Sequence, residues 1–142
     1  MYAKTLLNRL KAAGAEARLW KRQFGFKTKV STEDALYIVR RRIEQAWAAK
    51  NGQVLLLALD WKKAFDSIDP DRLMNALERF GINTSMRQAI RNIYEQRFFQ
   101  VRDEGEVSEP RPQIAGISQG CPLSPFLSGI LMTVLIRARK AC

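Results

Sequence analysis

Residues 55–70, LLLALDWKKAFDSIDP, decide how this chain is read. The six apolar residues 54–59 do not alternate with polar ones, which predicts a strand buried on both faces. The run ends on a carboxylate, Asp60; a tight turn and a second acid, Asp66, follow at once. Asp69 then predicts a helix cap with Pro70 at the first helical position, where a missing N–H costs nothing. A carboxylate held at the end of a buried strand is the first candidate for chemistry, although a lone Asp in that place is more often a cap.

Working outward, Ser31 and Asp34 form an S-x-x-D capping box that opens a helix, with Leu36, Val39, Ile43 and Ala46/Trp47 as its expected buried face. Arg40, Arg41 and Arg42 lie on its other side, and Asn51-Gly52 stops it. An earlier helix is expected to run to about Lys21, weakened by Gly14, with Leu6, Leu10, Ala13 and Ala17 on one face. The helix opened by Asp69 closes at Phe80-Gly81. Asn83 or Thr84 opens another, which carries Met86, Ile90, Ile93 and Tyr94 to about Gln96. Residues 98–102 alternate as a strand, residues 103–106 (DEGE) read as a hairpin turn, and the chain returns from Val107. A polar loop, 116–120, leads through Pro122 and Pro125 into a last apolar helix. Trp20, Trp47 and Tyr94 fall at helical spacing and read as core. No repeat or linker divides the 142 residues, and a chain of this length buries roughly two-thirds of its unfolded surface.

The net charge of +10 is unevenly spread. Residues 1–50 hold 12 Lys/Arg against 4 Asp/Glu, a surplus of +8; residues 51–142 hold 12 against 10, a surplus of +2. Such a basic first third fits a polyanionic partner, most simply nucleic acid, or else an ordinary solvated basic face. The absence of histidine excludes His-based triads and His-liganded zinc. Cys121 and Cys142 have no metal-ligand spacing and form no disulfide framework, which points to an intracellular, reducing compartment. The apolar runs 54–59 and 126–136 fall short of the roughly 18–20 residues of a membrane span. Residues 1–22, with Glu16 their one acid, have a transit-peptide composition; an amphipathic helix of the domain is the preferred reading.

A strand-end carboxylate followed by a turn suits metal-assisted phosphoryl transfer, in which Mg²⁺ is shared between few carboxylates and substrate phosphates. In the turn, the backbone N–H groups of Lys63 and Ala64 are free to face phosphates, and Phe65 is an apolar plate beside them. Two further segments accompany the aspartate motif: Gln23-Phe24-Gly25-Phe26-Lys27 with residues 31–35 (STEDA), and residues 116–125 (GISQGCPLSP). In order and spacing the three together resemble the reverse transcriptases of non-LTR retrotransposons and, more distantly, of group II introns. The resemblance covers essentially the whole chain.

That resemblance implies an α+β, partial right-hand polymerase, with fingers and the first half of the palm and helices packed on a small, incomplete β-sheet. Residues 1–52 would be the basic fingers-like part and 53–142 the palm/fingers part of one domain. It implies template-directed addition of deoxynucleotides to a primer 3′-OH through a two-metal Mg²⁺ site, with an RNA template, a DNA primer and deoxynucleoside triphosphates as partners, and it allows a nuclear location. Asp60 matches the first catalytic, metal-holding aspartate, and Trp61 would lend its backbone carbonyl to a metal. Phe65 matches the steric gate under the sugar. Gln119 matches the glutamine that contacts the incoming nucleotide, and Gly120 lets the backbone approach base pair and primer. Lys27 stands where the family usually carries an arginine near the phosphates. Asp66 matches a family acid but reads better as a brace of the turn, and Ser124 as a helix cap.

Departures from the family pattern are few but large in consequence. Pro70 replaces a common histidine, Ser118 the usual proline before Gln119, and Ser128-Gly129 a usual Phe-Asn. The aromatic-x-Asp-Asp motif that completes the metal site has no counterpart, and no Asp-Asp pair occurs in the chain. The expectation is therefore a piece of a longer polymerase cut on both sides, inactive alone, with apolar surface exposed along 126–136. The alternative is a non-catalytic nucleic-acid-binding remnant of a retroelement.

Overall fold

The computed structural model describes residues 1–139. Five helices make the body: α1 (Tyr2–Ala12), α2 (Thr32–Ala48), α3 (Pro70–Arg79), α4 (Thr84–Tyr94) and α5 (Ser124–Ala138). Between α4 and α5 a ribbon of four two-residue strands projects: β1 (Phe98–Phe99), β2 (Arg102–Asp103), β3 (Glu106–Val107) and β4 (Arg111–Pro112). β2 and β3 pair antiparallel around the Glu104-Gly105 turn, and β1 pairs antiparallel with β4 outside them. Both turn residues take positive φ, +45° and +94°, the form that suits a two-residue hairpin connection. The sequence expects one strand over 98–102. The ladder breaks at Gln100-Val101, where the Ser108 hydroxyl takes the Val101 N–H at 2.9 Å.

The helices end where local chemistry tells them to. In α3, the Asp69 side chain accepts the Arg72 N–H at 2.9 Å and Pro70 stands in the first turn. At its other end Gly81, at φ +87°, lets the N–H groups of Gly81 and Ile82 turn back to the carbonyls of Glu78 (2.8 Å) and Leu77 (2.9 Å). α1 stops in the same manner: Gly14, at φ +74°, bonds Lys11, and Ala15 bonds Leu10. This ends the first helix at Ala12, well before Lys21, and a short 3₁₀ turn, Glu16–Arg18, replaces its continuation. Ala15 and Leu19 are therefore buried in place of Ala13 and Ala17. Asn83 caps α4 by accepting the Met86 N–H, and that helix ends at Tyr94.

The core lies between helices rather than between helices and a sheet. α3 packs on α5 and α4, α1 packs on α4, and the four strands are exposed. Leu73 and Leu77 of α3, Ile90 of α4, and Leu127 and Ile130 of α5 are fully enclosed. The N-terminal segment is stitched to α5: the Trp20 N–H donates to Thr133 Oγ1 at 3.0 Å, and Arg137 donates to the Arg18 carbonyl at 2.8 Å. Arg18 in turn donates to the Phe80 carbonyl at 3.0 Å and lies over the Phe80 ring.

Four expectations are corrected here. Residues 54–59 form no strand and are exposed, Leu55 at 95% of its free surface, because no other strand among the described residues pairs with them. The expected buried face of α2 is largely open as well: the capping box forms, with Asp34 accepting from the Ser31 N–H at 2.7 Å, but among the described residues no helix or strand packs closely on the helix, Val39 and Ile43 are only half-buried, and Trp47 is 79% exposed. The last helix is the reverse case, since Phe126, Leu127, Ile130 and Val134 are core because α3 and the N-terminal segment cover them. Ser124 does not cap α5; it is buried, its hydroxyl 3.3 Å from the Tyr94 hydroxyl. Cys142 lies outside the described residues, and Cys121 is a partly buried free thiol. No helix among the described residues is long and apolar enough to cross a membrane.

Candidate active site

The exposed apolar run delivers Asp60 into a turn, 62–67, whose first bend is Lys63 at φ +52° and which closes with the Ser67 N–H on the Lys63 carbonyl at 2.9 Å. The carboxylate of Asp60 accepts the N–H of its own neighbour, Trp61, at 2.9 Å, and both residues are exposed. Lys63 and Ala64 are exposed, and among the described residues no acceptor binds their backbone N–H groups. Phe65 is half-buried and packs against the core.

Residues 116–120 dock onto this turn through the main chain. The Gly116 N–H donates to the Ile68 carbonyl at 2.8 Å and the Ile117 N–H to the Phe65 carbonyl at 2.9 Å, while the Ile117 side chain is buried. The Gln119 side-chain amide then donates to Asp66 Oδ1 at 3.1 Å. The structure thus brings Phe65, Asp66 and Gln119 together across some fifty residues of sequence, and the hydrogen bond of the Asp66 carboxylate holds the loop rather than its own turn. Gly116 is fitted tightly: at φ +89°, a Cβ there would stand 3.0 Å from the Cα and carbonyl oxygen of Asp66. Gly120 also takes positive φ, +81°, but open space surrounds it, so its glycine is needed for the backbone turn.

The other face of the loop is held by Arg97, a residue that the sequence did not single out. Its guanidinium donates to the Gly116 carbonyl at 2.6 Å, to Ser118 Oγ at 3.0 Å and to the Tyr94 carbonyl at 3.3 Å, and lies 4.9 Å from the centre of the Tyr94 ring. Ser118, the departure from the usual proline, supplies an acceptor that proline lacks. The sequence held one signal of this contact, a hydroxyl in an unusual place, and none that pointed to the arginine. Burial raises the Tyr94 phenol above its ordinary range, against the opposing pull of the Ser124 hydroxyl.

Lys27 is not bonded to this assembly among the described residues. It is half-buried in the loop before α2, and among the described residues no hydrogen bond or ion pair ties it to the turn or to 116–120. The segment is fixed from the other side. Glu16 Oε1 accepts both the hydroxyl and the N–H of Thr28 at 2.7 Å, which, with Lys11 nearby, holds the Glu16 carboxyl below its ordinary range.

A divalent-metal pair requires several carboxylates, because the two cations repel each other. Among the described residues no three acidic, Cys or His groups converge, and Asp66 is engaged by Gln119. Asp60 is a single prospective ligand, and these residues do not fit a complete metal centre.

The model of the family described as reverse transcriptase (RNA-dependent DNA polymerase) matches residues 1–142. The chain belongs to the reverse transcriptase family. It is 28% identical over 131 residues to a probable RNA-directed DNA polymerase from transposon BS of Drosophila melanogaster, covering 92% of this chain and 14% of that protein. It is 29% identical over 139 residues to a retrovirus-related Pol polyprotein from an R2 retrotransposable element of Nasonia vitripennis, covering 96% of this chain and 13% of that protein. Over 79 residues it is 33% identical to the corresponding polyprotein of element R2DM of Drosophila melanogaster, covering 56% and 8%. The reverse transcriptase chain thus spans about one-seventh or less of the length of these relatives, and its kinship is with non-LTR retrotransposon polymerases.

Proposed function

We propose that this chain supplies the deoxynucleotide-contact part of an RNA-templated DNA polymerase site. The observation that carries the reading is the docking of loop 116–120 on turn 62–67, which sets the Gln119 amide beside Phe65 and Asp66. In that reading Gln119 touches the incoming nucleotide, and Phe65 stands under its sugar and rejects a 2′-hydroxyl. The free N–H groups of Lys63 and Ala64 face phosphate oxygens, as N–H groups at a helix start do. Gly120 lets primer and template approach, Lys27 adds positive charge near the phosphates, and Asp60 contributes one carboxylate, with the Trp61 carbonyl, to a divalent centre that needs further ligands. Partners are an RNA template, a DNA primer and deoxynucleoside triphosphates. Residues 1–52 serve as a fingers-like part and 53–142 as a palm part of a right-hand polymerase.

With one prospective metal carboxylate, the 142-residue chain alone does not extend a primer. The test is primer extension on an RNA template with Mg²⁺ and all four deoxynucleotides. The expected result is no product; Mg²⁺-dependent product that disappears in Asp60→Asn would overturn the proposal.

A specific observation also favours a binding-only role. α2 stands clear of the core with Tyr37 and Trp47 exposed beside Arg40, Arg41 and Arg42, and Glu44 pairs with the first two. That role is expected to show weak sequence preference and an affinity that falls steeply with salt. Affinity retained at high salt would count against it.

A further inference from the structure

We infer that Arg97 is a positioning residue for Gln119. Its two terminal nitrogens bond residues two apart on the loop, the Gly116 carbonyl at 2.6 Å and the Ser118 hydroxyl at 3.0 Å. Between those two grips lies Ile117, with its side chain buried and its N–H on the Phe65 carbonyl. The residue that leaves this clamp is Gln119, whose amide reaches Asp66. Arg97 is itself fixed from three directions: its Nε donates to the Tyr94 carbonyl, its guanidinium lies over the Tyr94 ring, and its carbonyl accepts the Gln113 N–H at 2.7 Å. Among the described residues no carboxylate pairs with it, so its hydrogen bonds go to carbonyls and a hydroxyl and are charge-assisted. A planar fork that spans two acceptors sets direction as well as distance, which a lysine cannot reproduce. The end of α4 and the start of the ribbon thereby dictate where the loop side chain points. The functional consequence rests on the reading of Gln119 as the nucleotide contact; the positioning itself does not.

The test follows the Gln119 side-chain amide and the hydrogen exchange of the Gly116 and Ile117 amides by NMR, in wild type, Arg97→Met, Arg97→Lys and Ser118→Ala. Asp66→Ala marks the signal of an unheld Gln119. In Arg97→Met the Gln119 signal is expected to move towards that position, and the two loop amides to exchange about ten- to a hundredfold faster, the worth of one lost charge-assisted hydrogen bond. Ser118→Ala, which removes one loop acceptor only, moves the same signals less, and Arg97→Lys falls between wild type and Arg97→Met. Unmoved Gln119 and loop amides in a folded Arg97→Met overturn the inference. Should that variant not fold, an unmoved Gln119 in Ser118→Ala does so. A dTTP titration with Mg²⁺ separates the two claims. Weaker binding by Arg97→Met supports the functional consequence, equal binding with moved amide signals overturns that consequence alone, and no binding by wild type refutes the nucleotide reading, while the amide signals judge the positioning in every case.

Discussion

Replacing Gly116 by alanine tests whether loop 116–120 and turn 62–67 are one unit. Two costs add. At φ +89° an L-residue is disfavoured by about 1–2 kcal/mol. The new Cβ would also stand 3.0 Å from the Asp66 Cα and carbonyl oxygen and 3.3 Å from its carbonyl carbon. Those are backbone atoms that cannot swing aside as a side-chain tip would, so either the turn or the loop must shift, at about 1–3 kcal/mol for overpacking. The total, about 2–5 kcal/mol, is a large part of the 5–15 kcal/mol typical of a domain. Gly120→Ala is the control, because its φ is +81° and nothing lies within 4 Å of its Cβ, so it carries the conformational cost alone. Urea unfolding measures both. With a slope of about 2 kcal/mol per molar, Gly116→Ala lowers the midpoint by about 1–2.5 M and Gly120→Ala by about 0.5–1 M. Equal midpoints for the two variants would refute the tight docking of loop on turn.

Three other outcomes follow from the packing and the ionisable groups. Leu77→Ala, in the enclosed face of α3, is expected to cost about 2–5 kcal/mol, whereas Leu57→Ala in the exposed run changes stability by under about 0.5 kcal/mol; denaturant unfolding of the pair checks this. Glu16 is held below its ordinary 4.5 by the Thr28 hydroxyl, so its contribution is full above that pH and fades as pH falls through the lowered value; the Thr28 amide is expected to lose exchange protection there, and Glu16→Gln to abolish that pH dependence. Tyr94 is raised above 10.0 by burial, so its contribution is full below pH 10 and is lost as pH rises through the raised value; thermal unfolding at alkaline pH is expected to show the loss in wild type and not in Tyr94→Phe.

What the sequence revealed was local. Asp69-Pro70, Asn83, the Ser31/Asp34 box and Phe80-Gly81 each act within one turn of backbone, and each does what its chemistry dictates. The family was legible for a related reason: residues 23–35, 55–70 and 116–125 carry ordered motifs that need no tertiary knowledge. Burial was less legible, because it depends on partners. Residues 54–59 and the face of α2 have the composition of buried elements, but among the described residues no helix or strand packs closely on them, whereas 126–136 has α3 and the N-terminal segment. At the site, the docking of Gln119 on Asp66 and the grip of Arg97 join residues 53 and 21 positions apart, a distance no local pattern reports. Ser124 shows the same limit, for its hydroxyl suits a cap and is used instead by a buried tyrosine 30 residues away.

The most direct test of the account is a residue-resolved NMR titration of the 142-residue chain with dTTP and Mg²⁺. The expected result is that the signals of Phe65, Asp66, Gly116, Gln119 and Gly120 move together and saturate, while Tyr37 and Trp47 on α2 stay in place. Shifts confined to α2, or none at 62–67 and 116–120, would contradict the assignment of this turn and loop as the deoxynucleotide contact.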